Sequence, residues 1–129
     1  MGGATNGDKY HNLLFANPGS SNSWLTVKLL GKKTNRAAIG ARIKAVTDAD
    51  KPLTVHRCVC SGSSFGGNPL QQTLGLGKAR HVAELEIRWP TSGTTQIFRD
   101  IAVNQAVEIT EFAADYRQLP WTPIAIRPR

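Results

Sequence analysis

An all-β domain, an antiparallel β-sandwich of about seven short strands with little or no helix, is the fold class this sequence predicts. Three observations predict it. Apolar and polar residues alternate over short runs, most clearly at 83–89, where Leu85, Ile87 and Trp89 alternate with Glu84, Glu86 and Arg88; a period of two sends them to opposite faces of a strand. Twelve Gly and seven Pro punctuate these runs, which suits many turns better than long helices. No window combines a helical apolar period with start and stop signals. The one contender, 78–89, is hemmed in by Gly75, Gly77 and Pro90, and its apolar residues alternate.

Taken in order, residues 1–11 read as a polar, Gly-rich flexible leader. Residues 12–112 read as the sandwich. The apolar stretch Leu13-Leu14-Phe15 runs into a turn cluster from Asn17 to Asn22. The first strand, 24–30, places Leu25, Val27 and Leu29 on one face, and Gly31 with the polar run 32–36 ends it. In the second, 41–46, Ala41, Ile43 and Ala45 alternate with Arg42 and Lys44; residues 48–52 read as a hairpin connection into a third at 53–61. Residues 62–69 hold three Gly and a Pro and must be an irregular loop. Strands at 70–76, 83–89, 94–99 and 106–110 complete the set, the last turning Val107 and Ile109 to the core. Pro120 and Pro123 keep the tail, 113–129, extended, so that it packs its apolar residues on the sandwich without a helix.

A chain of 129 residues is one domain in size and buries roughly two-thirds of its unfolded surface, enough for a core without metal or disulfide staples. No apolar run approaches the roughly eighteen residues of a membrane helix, so membrane insertion is not expected. The first residues lack the apolar stretch of a secretory signal. Sixteen Lys and Arg against nine Asp and Glu give a net charge of +7, which favours polyanions. The cations are scattered, however. Their densest set is Lys28, Lys32, Lys33, Arg36, Arg42 and Lys44, with no interleaved aromatics, which points to a basic solvated face over a nucleic-acid path.

Several motifs invite chemistry, and each has a plainer reading. His56, Cys58 and Cys60 recur every second residue and share a strand face as half of a metal site, but no fourth ligand follows from spacing, and Cys is among the most buried residue types. They are expected in the core, without a metal. Gly62-Ser-Ser-Phe-Gly66 matches the nucleophile elbow with Ser64 at its centre, yet Gly67-Asn68-Pro69 cannot start the helix that the elbow requires. No acidic residue lies between Ser64 and His81, so the triad order also fails. Gly75-Leu-Gly-Lys-Ala-Arg80 has Arg where a dinucleotide fingerprint needs its third Gly, and leads into a strand; it reads as a turn. Asp48 and Asp50 beside Lys51 make a poor calcium cage and a good hairpin tip. Trp24 and Trp89-Pro90 offer faces to a sugar, but large aromatics in alternating strands belong to the core.

Several segments together resemble a known family. Asn22-Ser-Trp-Leu-Thr-Val-Lys-Leu, then the run from Gly31 to Ile43, Ser61 to Gln72, Leu74-Gly-Leu-Gly77, Leu85 to Gly93, Asn104-Gln105 and Ile109-Thr-Glu111 look, in that order, like the ASPIC/UnbV domain, the C-terminal domain of cartilage acidic protein-like proteins. The resemblance covers about residues 12–112. It implies an accessory domain that follows FG-GAP/VCBS β-propeller repeats in an exported or extracellular protein, with no catalytic residue to carry over. His11 to Asn17 is similar to the last strand of such a propeller blade.

The expectation that follows is a non-catalytic module, without cofactor or metal, that binds a protein or glycan ligand through its loops. The alternatives are a structural cap on the β-propeller of a parent chain and a basic module for nucleic acid or sulfated glycan. Polar and Gly-rich loops that the sheets do not need single out Asn35, Arg36 and Arg42 with Ser63, Ser64, Phe65 and Asn68 as the contact surface.

Overall fold

In the computed structural model, which describes residues 18–62 and 67–122, the alternating runs form eight strands among the described residues. They are β1 (Ser23–Leu30), β2 (Arg42–Thr47), β3 (Thr54–Cys58), β4 (Gln72–Gly77), β5 (His81–Arg88), β6 (Thr95–Ala102), β7 (Gln105–Thr110) and β8 (Arg117–Leu119). One sheet has the order β4-β1-β7-β8 and the other β3-β2-β5-β6. The leader, the blade-like stretch 11–17 and Ser63, Ser64 and Phe65 lie outside the described residues.

The core holds one residue in two from each inner strand, as alternation requires. Leu25, Val27 and Leu29 of β1 meet Leu74, Leu76, Val107 and Ile109 in one layer; Ile43, Ala45, Val82, Leu85, Ile87 and Ile101 fill the other. Trp89, just past β5, is fully buried, and its indole N–H donates to Gln96 Oε1. A buried indole needs such a partner. The expected core positions in β1, β2, β5 and β7 are therefore occupied as the sequence indicates.

The sandwich is as expected, two details of its strands go beyond the sequence, and one expectation is corrected. β1 and β7 pair in parallel, Leu25 opposite Gln105 through Leu30 opposite Thr110, while every other pairing is antiparallel. Alternation is the same in either direction, so it carries no information on polarity. The tail contributes an eighth strand, β8, three residues long and too short to alternate visibly. The cysteines are not core residues: Cys58 is exposed and Cys60 half-buried. β3 lies at a sheet edge, and Cys58 sits opposite Arg42, which points outward because its neighbours Ala41 and Ile43 point in. Val59 takes the buried position there.

Candidate functional site

Perturbed ionisable groups are the first place to seek chemistry, and here each is consumed by the fold. Glu111 is fully buried. Its Oε2 accepts the backbone N–H of Lys32, Lys33 and Thr34 at 2.7, 2.7 and 2.8 Å, and Oε1 accepts the Thr34 hydroxyl at 2.8 Å. Burial alone would raise this carboxyl; the Ser92 hydroxyl and the 32–34 donors override it and hold it at about 2. Glu108 is lowered chiefly by its hydrogen bond to Lys28, and further by Arg117. Asp48 is lowered chiefly by the His81 N–H, and its Oδ1 caps the amides of Arg80 and His81 at 3.0 Å each. It is thus a strand-entry clamp, consistent with a hairpin-side role. Residues 77–80 form the expected turn, with Gly77 at φ +59° and Ala79 N–H donating to Leu76 O.

The loop from Gly31 to Gly40, which carries two of the expected contact residues, is built on the same nest. Asn35 holds it shut: its Oδ1 accepts the Ile39 N–H, and its Nδ2 donates to Ile39 O, both at 2.9 Å. Its amide serves the turn in which Ala38 adopts φ +55°. Arg36 lies apart, along an apolar depression with Leu29, Pro69 and Leu70. Arg42 lines a different depression on the outer face of the other sheet. Asn68 is exposed, with Nδ2 3.8 Å from Cys60 Sγ. The structure therefore brings Asn35 and Arg36 into one loop and sets Arg42 apart from them.

Beside Lys44, its expected neighbour on the strand, Arg42 gains Arg57 and Arg88 through strand pairing. On β2, Arg42 and Lys44 face outward; register places Arg42 between Cys58 of β3 and Arg88 of β5, and Lys44 between His56 and Glu86. With Arg57 these residues line a shallow depression of about 530 Å³. Arg42, Lys44, Arg57 and Arg88 form no ion pair with a described residue. At the other end of the sheet, by contrast, Arg99 pairs with Glu84 at 2.9 Å. Arg42 and Arg88 are directly opposed on neighbouring strands, where like charges are destabilising. The signal was present in the sequence, Arg-x-Lys at 42–44 and Glu-x-Arg at 86–88, but only pairing joins them. Among the described residues no group of three His, Cys, Asp or Glu could hold a metal ion.

A third cluster lies at the pole where β1 begins. Trp24 is half-buried, and its ring centroid is 5.4 Å from that of Trp121, tilted by 53°. This differs from the expected core placement, because Trp24 alternates with the fully buried Leu25 and so lies on the face of β1 turned away from the core. Asn104, at φ +60°, clamps Trp24 from the side: its Oδ1 accepts the Trp24 N–H at 3.1 Å and its own N–H donates to Trp24 O.

Residues 31–115 match the family model described as ASPIC and UnbV. No curated protein and no solved structure matches the chain.

Proposed function

The chain belongs to the ASPIC and UnbV family, and on that premise we propose that it is a non-catalytic recognition domain that binds an anionic partner on the outer face of β3, β2 and β5. The partner is an acidic protein segment or a sulfated glycan, and the domain acts as an appendage to a β-propeller in a longer protein.

One observation carries this reading: two opposed arginines, with Lys44 and Arg57 beside them, share a depression in which Glu86 is the one carboxylate among the described residues, and none of the four cations is ion-paired with a described residue. An anion seated there would relieve a repulsion that the folded chain carries by itself. The perturbed carboxylates support the non-catalytic part, since Asp48, Glu108 and Glu111 are each tied up by hydrogen bonds that hold the fold. The expected loop surface moves accordingly from the turns to a sheet face, with Arg42 common to both.

Calorimetric titration with heparin and with poly-glutamate, at about 50 and about 300 mM salt, tests the reading. Saturable binding to either polymer should weaken steeply with salt and fall about tenfold or more in the Arg42→Glu/Arg88→Glu double variant. Both side chains are exposed, so the variant should fold. Absence of binding to both polymers, or equal binding by the variant, defeats the proposal.

A further inference from the structure

Away from the basic face, the pole formed by Trp24 and Trp121 has a composition of its own. Trp121 is 61% exposed, the most exposed of the large hydrophobic residues among the described positions. A cleft of about 740 Å³ opens on one side of it, lined by Ser20, Ser21, Asn22, Trp24 and Asn104. A second, of about 450 Å³, opens on its other side, where Gln105, Gln118 and Pro120 stand. Among the described residues the lining is thus aromatic and small apolar surface plus neutral hydroxyl and amide groups, with no carboxylate and no arginine. Lys78 approaches, but its ammonium is engaged by the carbonyl and hydroxyl of Ser21.

We propose that the Trp24–Trp121 pole is a second binding site, distinct from the basic face, and that it takes a neutral saccharide. A pyranose ring presents C–H groups on its faces and hydroxyls around its rim. The first suit an indole face and the second suit amides and hydroxyls that both donate and accept. Binding sites of this kind combine an apolar wall with a few convergent polar groups. A nucleobase would also stack on Trp121, but its phosphates need cations, and among the described residues neither cleft has a free one in its lining. A hydrophobic peptide would need a continuous apolar pocket, and here amides and hydroxyls interrupt the apolar lining.

Three features make this a built site. Trp24 props the Trp121 ring from one side, with its own backbone held by both polar ends of Asn104. β8, paired with β7, delivers Gln118 and Leu119 and then Pro120, which stiffens the approach to Trp121. The Asn22 side chain makes no hydrogen bond to a described residue and lies at the cleft.

The test is titration of the chain with cellohexaose, maltohexaose, mannohexaose and chitohexaose, read by intrinsic tryptophan fluorescence and calorimetry. Trp89 is buried in the core and Trp24 and Trp121 are at the site, so a bound sugar should alter the emission. At least one hexaose should bind saturably, and Trp121→Ala should weaken it about tenfold. Trp121→Phe should retain most of the affinity, and Asn22→Ala should weaken binding without altering the melting temperature. The Arg42→Glu/Arg88→Glu variant should bind the sugar unchanged, which separates this site from the basic face. Failure of all four sugars to bind at about 20 mM overturns the proposal. So does undiminished binding by Trp121→Ala, or stronger binding of an oligothymidylate than of any sugar.

Discussion

Glu111 shows how one side chain can stand in for a stretch of sheet. The chain leaves β1 at Leu30 and must turn at once, which points the N–H groups of Lys32, Lys33 and Thr34 inward with no strand to receive them. A carboxylate arriving from the end of β7 accepts all three, and charge-assisted bonds of this kind are about twice as strong as neutral ones. Removing it in Glu111→Ala orphans one buried and two part-buried amide donors, and we expect a loss of about 3 kcal/mol, readable as a drop in melting temperature of roughly 10 °C. Its pH dependence has a definite sign. The folded carboxyl, at about 2, lies below its ordinary value of 4.5, so the unfolded chain binds the extra proton first as pH falls. Stability from this group is complete above the ordinary value and drains away as pH drops toward the folded one. The isosteric Glu111→Gln variant should therefore lose less stability than the wild type between about pH 6 and pH 3 in chemical denaturation; an equal loss would assign the acid sensitivity elsewhere. Gly31 serves the same nest: any Cβ there would collide with the backbone carbonyls of Thr34 and Asn35. Gly31→Ala should destabilise by about 2 kcal/mol or more by forcing those carbonyls apart. The role of Glu111 has no local signature, because the carboxylate and the amides it serves are joined only across nearly eighty residues.

Strands were legible where one face is buried and the other wet. β2 follows that pattern residue by residue, and β5 follows it from Glu84 to Arg88, after an irregularity at Ala83 that shifts the register between Val82 and Glu84. β7 departs from it: Ala106, Val107, Glu108 and Ile109 are all buried, its outer face included. Glu108 faces away from the core yet is covered by its neighbours, Lys28 of β1 at 2.9 Å and Arg117 of β8 at 2.6 Å, a row that the register enforces. Hydropathy cannot reveal such cover, since an alternating Glu reads as solvent-exposed. β3 departs in the opposite sense: it is an exposed edge, so Cys58, expected in the core, lies at the surface. The Glu108 row explains how a three-residue strand persists. Beyond its three register pairs, β8 is fastened by Arg117, so Arg117→Ala should raise hydrogen exchange of the β8 amides several-fold while the amides of β1 stay protected. Unaltered exchange in β8 would show that backbone pairing alone suffices. The stability cost should be small, about 1 kcal/mol, because Arg117 is largely exposed.

At the scale of the whole molecule, layers were readable and connections were not. The sandwich follows from alternation, but the parallel β1–β7 pair follows from closing a loop of about eighty residues, and no residue type announces that closure. The basic face was illegible for the same reason: Arg42 and Arg88 become neighbours only through the β2–β5 pairing, and Trp121 meets Trp24 only after β8 docks. The same contrast predicts the order of folding. The β3-β2-β5-β6 sheet contains two sequential hairpins, β2–β3 and β5–β6, so most of it can form from short closures. The other sheet depends on the long closure of β1 on β7, whose entropy cost falls due before its contacts give any return. We expect refolding in the millisecond-to-second range, with the first sheet formed in the transition state and the second closing on it later. Leu85→Ala, in the middle of β5, should then slow refolding, whereas Val107→Ala, in the middle of β7, should act mainly by accelerating unfolding. Both residues are fully buried, so each substitution should cost about 2 kcal/mol or more, enough for a reliable ratio of kinetic to equilibrium effect. Stopped-flow chevrons would decide it: a larger ratio for Val107 than for Leu85 would place the parallel pair in the nucleus and reverse the order argued from loop length.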